Sequence, residues 1–245
     1  MVSGVKGYDK AINRNQLLAL PFEEATGLVT QDVAKPHHPI DMSVVPPTWV
    51  ALANDRGMLE FNGASNYLEC AAASCADLDF ITGDYSIAGW INWIDTTNSE
   101  IIIGRYGVSL DGWELYLWRT PPNYLTLRHH HVSYCPSPPC PPGNPRTGCY
   151  SVGWLPGQWW FMGVTRSGAY PKMFRNGEAL EVTFDPIIGM HDPDTCNRDL
   201  VIGTRFTKGS DWYQGRMWNL RVWGRELSDD DMKFIFLTER HLFGV

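Results

Sequence analysis

From Met58 to Trp223 the chain is written in short runs, each with apolar residues at alternate positions or throughout: MLEFNG, SNYLEC, YSIAGWINWI, EIIIGRYG, WELYLWR, YLTLRHHHV, GQWWFMGVTR, LVIGTRF and GRMWNLRVWGR. A period of two marks a strand with one buried face, and runs of this length bounded by turn residues predict an all-β domain. In YSIAGWINWI one face carries Tyr85, Ile87, Gly89, Ile91 and Trp93, and the other carries Ser86, Ala88, Trp90, Asn92 and Ile94. Apolar groups on both faces predict a central strand between two layers. In WELYLWR the alternation sets Trp113, Leu115, Leu117 and Arg119 against Glu114, Tyr116 and Trp118, so at least one of these faces is core.

YPKMFRNGEALEVTF predicts a hairpin, because Asn176-Gly177 supplies the two positive-φ positions of a type I′ turn. The tail LSDDDMKFIFLTERHLFG is the one helix, with Ser228 as N-cap, Asp229 to Asp231 at the positive end of its dipole, and Arg240 and His241 near the other end. Residues 1–15 are polar and aperiodic and read as an extended N-terminal arm. QLLALPFEE (Gln16 to Glu24) suits a strand buried on both faces. In the segment that follows, Pro36, Pro39, Pro46 and Pro47 exclude a helix and predict an irregular crossing over the surface.

With no βαβ alternation and no break in composition, residues 16–245 form a single antiparallel two-sheet β-sandwich with one short C-terminal helix. The stretch HHHVSYCPSPPCPPGNPRTGC, residues 129–149, interrupts it. Strands of the same style lie on both sides, so residues 133–148 are a Cys/Pro-rich loop insertion and not a linker between domains.

Composition narrows the function. The chain is 44 % hydrophobic and 13 % aromatic, with 11 tryptophans, and only 19 % charged, below the roughly 25 % of typical soluble domains. That leaves many flat side chains for cores, interfaces or stacking surfaces. A net charge of -7, with 20 basic residues scattered among carboxylates, argues against nucleic acid. The N-terminus has no apolar leader, and no run is long enough to insert in a membrane. Six cysteines without a leader fit a protein made in the host cytoplasm that works outside it, as virion components do; an extracellular protein whose leader has been removed is the alternative.

In order along the chain, four segments resemble one family. MLEFNGASNYLEC is similar to the paired strands with a Leu-x-Phe-Asp-Gly turn of laminin-G-like, concanavalin A-like jelly rolls, and YSIAGWINWI to their Phe-Thr-Ile-x-x-Trp strand. LPGQWWFMGVTRSGAYPKMFRNGEAL resembles their Trp-His-His-Val-Ala-Val-Thr unit and following hairpin. GRMWNLRVWGRELSDDDMKFIF resembles their closing Asp-Glu-Val-Arg strand and acidic helix. The resemblance covers roughly residues 16–240 and implies a jelly-roll β-sandwich that binds glycans or proteins at a sheet face or loop rim. It also departs from the pattern: Asn62 replaces the turn aspartate, Trp218-Asn219 the Asp-Glu pair, and Trp160-Phe161 the histidine pair. These changes put a family calcium site in doubt.

Candidate sites follow. Trp113, Tyr116, Trp118 and Tyr124, with Arg119 and Arg128, are the candidate glycan platform, with core or a subunit interface as the competing assignment. Asp192, Asp194, Asn197 and Asp199 gather the hard oxygen ligands that Ca2+ prefers, without EF-hand spacing; a solvated acidic loop is the alternative. Zinc would use Cys135, Cys140, Cys149 and one of His129 to His131, but the four residues between Cys135 and Cys140 do not match a zinc knuckle. At least one disulfide in the Pro-rich loop, with Cys196 as a distant partner, and closure of AAAS by Cys70 and Cys75 compete with free buried thiols. No catalytic residue is assigned: Glu114 is alone in its strand, and no nucleophile elbow, zincin helix or phosphate loop is present.

The expectation is therefore a non-enzymatic structural or decoration protein of a phage or virus particle, docking on capsid or tail proteins through its arm, forming a homo-oligomer and contacting host glycans. The alternative is a secreted or cell-surface lectin-like module, possibly dependent on Ca2+.

Overall fold

The computed structural model describes residues 11–52, 56–94, 99–107, 111–119, 122–131, 146–185 and 189–245. The elements in chain order are β1 (Gln16–Leu20), β2 (Asp41–Met42), β3 (Thr48–Leu52), β4 (Arg56–Asn62), β5 (Leu68–Cys70), β6 (Tyr85–Trp93), β7 (Glu100–Gly107) and β8 (Asp111–Trp118). They continue with β9 (Tyr124–His130), β10 (Arg146–Val152), β11 (Trp160–Arg166), β12 (Lys172–Arg175), β13 (Glu178–Leu180), β14 (Thr183–Asp185), β15 (Leu200–Ile202), β16 (Gln214–Trp223) and α1 (Asp229–Glu239).

Two antiparallel sheets result. The first runs β13-β12-β11-β6-β16-β4-β3, with β1 also on β16; the second runs β14-β10-β9-β8-β7-β15-β5-β2. The alternation read from the sequence assigns their inner faces. Leu59, Phe61, Ile87, Ile91 and Trp93 of the first sheet pack against Ile103, Trp113, Leu115, Leu117, Leu125, Leu127 and Leu200 of the second. Each large side chain buried this way contributes about 1.5–3 kcal/mol.

β6 is central, between β11 and β16, and its other face is covered as well. Ala88 and Trp90 lie in a second apolar cluster with Phe161, Phe174, Trp218 and Trp223, beneath Met232, Ile235, Phe236 and Leu242. Met232, Ile235, Phe236 and Glu239 fall at i, i+3, i+4 and i+7 of α1, one face of a helix, and all four are buried. Ser228 accepts a hydrogen bond from the Asp231 amide while Asp231 accepts from the Ser228 amide, a reciprocal cap that starts α1 where the Ser-Asp-Asp-Asp run indicated. The hairpin also forms as the sequence indicated, with Asn176 and Gly177 at φ of 52° and 77°.

Several boundaries differ from the sequence reading. The Pro-rich crossing is mostly irregular but contributes β2 and β3 to the two sheets. It is pinned by a buried network: Asp32 accepts from the amides of Ala19 and Ala34 and from His38 Nδ1 (2.7 Å), while His38 Nε2 reaches Asp77 (2.8 Å). Burial alone would lower the His38 pKa, but the hydrogen bonds and charges of Asp32 and Asp77 outweigh it and raise it to about 9. The loop insertion is shorter than expected, because Arg146 to Gly148 already pair with His130 to Arg128. Of the expected arm, residues 11–15 are not free: Trp223 Nε1 donates to the Ile12 carbonyl, and Arg225 donates to the carbonyls of Ala11, Ile12 and Arg14. Residues 1–10 lie outside the described part.

Candidate functional site

The helix covers the outer face of the first sheet. On the outer face of the second, strand register aligns side chains in rows across β8, β9, β10 and β14. Trp118, Tyr124 and Val152 form one row; Tyr116, Thr126, Tyr150 and Thr183 the next; Glu114, Arg128, Gly148 and Asp185 the third. These are the residues that alternation points away from the core, so a single register sets aromatic groups beside charged ones.

The rows are tied together. The rings of Tyr116 and Trp118 lie 6.2 Å apart and those of Tyr124 and Tyr150 4.8 Å apart, edge to face. The Arg128 guanidinium sits over Tyr116 at 4.7 Å and over Trp118 at 6.0 Å, a cation–π arrangement. Arg128 Nη1 donates to Glu114 Oε1 at 3.1 Å, and His130 Nε2 bonds the same oxygen at 3.0 Å. The His130 ring stacks on Tyr106 at 5.0 Å. Burial pushes the Glu114 pKa up, but the His130 hydrogen bond and the charges of His130 and Arg128 outweigh it and hold the carboxyl below its usual range. Glu114 is thus an anchored anion that fixes Arg128 between two aromatic rings. Trp118 is 39 % and Val152 49 % exposed, whereas Tyr116 is 2 % exposed. The site is a shelf: aromatic and apolar at one edge, with an oriented cation at the other.

The sequence candidates separate accordingly. Tyr116, Trp118, Tyr124 and Arg128 come together on this face. Trp113 does not: it points inward, packs against Phe80 and Tyr85, and donates its indole N–H to the Leu78 carbonyl at 2.8 Å. It is core, as its place on the Leu115 and Leu117 face requires. The contribution of Glu114, His130 and Tyr150 was missed. The alternation of WELYLWR had already placed Glu114 beside Tyr116 and Trp118, but the register that brings His130 and Tyr150 alongside is a long-range property.

The calcium candidates do not converge. Asp192 pairs with Arg166, and Asp199 accepts from the Ala72 amide and pairs with Lys208. The Asp194 backbone bonds Gly112 and His130, and Asn197 lies exposed. Among the described residues no three His, Cys, Asp or Glu side chains converge to hold a metal, and carboxylates already paired with cations do not supply the 6–8 oxygens Ca2+ requires. His129 to His131 are instead buried partners of protein groups: His129 bonds the Tyr85 hydroxyl and the His191 carbonyl, and His131 bonds Thr147.

Cys70, Cys75, Cys149 and Cys196 are free and buried, so of the two readings of Cys70 and Cys75 the structure has the pair of thiols. Cys75 donates to the Ala71 carbonyl at 3.3 Å, the backbone supplying its partner. Cys135 and Cys140 lie outside the described residues. Asn62, at the position where an aspartate was expected, does that residue's work in the turn: its Oδ1 accepts from the amides of Ala64, Ser65 and Asn66.

Comparison with solved structures gives the same architecture. The botulinum neurotoxin serotype D binding domain superposes with a TM-score of 0.67 at 13 % identity, over 94 % of this chain and 52 % of that one. The serotype D ligand-binding domain in complex with N-acetylneuraminic acid gives 0.67 at 14 % identity, also over 94 % and 52 %. The serotype C1 binding domain gives 0.64 at 13 %, over 93 % and 53 %. This chain spans about half the length of each, and at such identities the likeness is one of fold. No curated protein matches at a significant level. The laminin-G family model of the concanavalin A-like lectin/glucanases superfamily matches residues 62–233, from the Asn62 turn into α1. With the two-sheet jelly roll and its closing helix, this match makes the chain a member of the concanavalin A-like lectin/glucanases superfamily.

Proposed function

We propose that the chain is a non-catalytic carbohydrate-binding module that holds surface glycans at the exposed Trp118–Val152 edge of its second sheet's outer face. The observation that carries this reading is the register that places Trp118, Tyr124 and Tyr150 beside an Arg128 anchored by buried Glu114. The apolar face of a sugar ring lies against aromatic edges and rings, and a guanidinium held in place donates to its hydroxyls without first losing side-chain freedom. Membership of a lectin-like superfamily supports the reading, as does the N-acetylneuraminic acid held by one of the similar structures, although that protein is twice as long.

Hydrolysis is not proposed. Glycosidases set two carboxyls about 5–9.5 Å apart. Glu114 is occupied by Arg128 and His130, and the next carboxylate in its row, Asp185, lies three strands away, about 14 Å at ordinary strand spacing. Nor is calcium invoked, since Asp192 is engaged by Arg166 and Asp199 by Lys208 and the Ala72 amide. Decoration of a virus particle and self-association would use the same fold in another setting, and no arrangement of residues described above favours them.

The test is a glycan array probed with calcium and again with chelator. The expected result is a saccharide signal that persists under chelation. A blank array would sink the glycan reading, and a signal lost on chelation would return attention to the loop around Asp192 to Asp199.

A further inference from the structure

A cavity of about 440 Å³ lies on the other side of the molecule, between the outer face of the first sheet and the end of α1, within the size range of small-molecule sites. Its origin is a seam in the sheet. One edge of β16 is shared end to end by two strands: Gln214 to Met217 pair with β4, and Leu220 to Trp223 pair with β1. At the seam β16 bulges between Trp218 and Arg221, with Asn219 at φ 52°. In a regular strand Trp218 and Arg221, three residues apart, would face opposite ways; the extra residue turns both to the helix side.

The pocket floor is polar and only partly satisfied. Glu239 of α1 accepts from Asn219 Nδ2 and contacts Arg221 Nη1 through Oε1, and accepts from Trp90 Nε1 and Arg221 Nη2 through Oε2. Both carboxylate oxygens are thus in use. Three donors on the lining side chains make no hydrogen bond among the described residues: the buried Trp218 indole N–H, the Arg221 Nε–H, and Arg221 Nη1, which has only its ionic contact with Glu239. Trp218 is 1 % and Arg221 2 % exposed, so each leaves a donor desolvated without return. Around them stand Asn13, Gln16 and the rim pair Arg56–Glu23. The lining holds two arginines, two glutamates and His241, so no strong net charge selects an ionic guest.

We infer that this pocket is a second ligand site, separate from the sheet-face shelf, for a small neutral polyhydroxyl molecule of about monosaccharide size whose oxygens accept from Trp218 Nε1 and Arg221 Nε. Asn13, Gln16 and Glu23 supply the acceptors that such a ligand's hydroxyls require, which a simple carboxylate would leave unused.

The test titrates the isotope-labelled 245-residue chain with glycerol, glucose, galactose and acetate, following the Trp218 indole N–H resonance, which is assigned by its disappearance in Trp218→Phe. The inference expects a saturable shift with at least one neutral polyol, stronger than any with acetate. By calorimetry that polyol should bind about fivefold to tenfold more weakly to Trp218→Phe, the effect of one hydrogen bond, and unchanged to Val44→Ala, a fully exposed position outside both sites. Three results would each overturn it: no saturable shift with any polyol, acetate binding more tightly than all of them, or binding lost in Trp118→Ala but retained in Trp218→Phe. The last would leave the sheet-face reading standing and remove only the pocket.

Discussion

The two outer faces of the sandwich use the same ingredients to opposite ends. Each holds a buried carboxylate bound to an arginine and framed by aromatic rings: Glu239 with Arg221, Trp90 and Asn219 on the first sheet, Glu114 with Arg128, His130 and Tyr116 on the second. On the first sheet the carboxylate comes from the covering helix, so the ion pair clamps a lid over tryptophans that would otherwise face water. On the second it comes from the sheet itself, and the same chemistry orients a half-buried cation beside the exposed Trp118 edge. Whether such a pair seals a face or equips it depends on which element donates the acid.

This contrast is tested most severely by removing the acids. Glu239→Ala leaves Arg221, 2 % exposed, charged without its partner, and the expected loss is about 3–5 kcal/mol of stability by urea unfolding. Glu114→Ala should cost less, about 1–3 kcal/mol, because the Arg128 side chain, at 12 % exposed, lies nearer to water. Equal losses would erase the distinction between lid and shelf.

Trp113→Ala opens a cavity in the core and should cost about 3–5 kcal/mol, whereas Trp118→Ala, five residues along the same strand, should stay within about 0.5 kcal/mol. A large loss from Trp118→Ala would make it a packing residue.

The arginine-based pairs can be set against the Asp32–His38–Asp77 network, which holds a histidine that titrates. His38 has its pKa raised to about 9 by Asp32 and Asp77, against about 6.5 in the unfolded chain. Its contribution is therefore complete below pH 6.5 and is lost as pH rises toward 9, by roughly 2–3 kcal/mol. Denaturation midpoints across that window should decline in the wild type and stay flat in His38→Gln. Glu114 works in the other direction: its lowered pKa adds stability above the normal carboxylate range, lost as pH falls through the folded value. The smallest effect expected is that of Ser228→Ala, about 1 kcal/mol, which loosens the start of the lid without touching the shelf.

How far the sequence reaches can be read from particular residues. Alternation in WELYLWR sorted Trp113 from Glu114, Tyr116 and Trp118 before any sheet was drawn, and the Asn-Gly turn and Ser228 cap fell where local chemistry demands them. What stayed hidden depends on partners far along the chain. Tyr150 and His130 join the shelf only through the pairing of β10 with β9 and of β9 with β8. Trp218 and Arg221 share a face only because of a bulge, which breaks the period that the eye follows. The acidic loop misled for a related reason: a cluster of oxygens in sequence says nothing about which arginines and lysines the fold brings to them.

Central to this reading is that the exposed edge of the second sheet's outer face holds sugar through Trp118 and its neighbours. Its most direct test is calorimetric titration of the strongest array saccharide into wild-type protein and Trp118→Ala, with the melting temperature of each measured alongside. The account expects affinity to fall at least about tenfold, the scale of a lost stacking contact and its ordering, at an unchanged melting temperature. Equal affinity in the two proteins would contradict it and place the sugar elsewhere on the molecule.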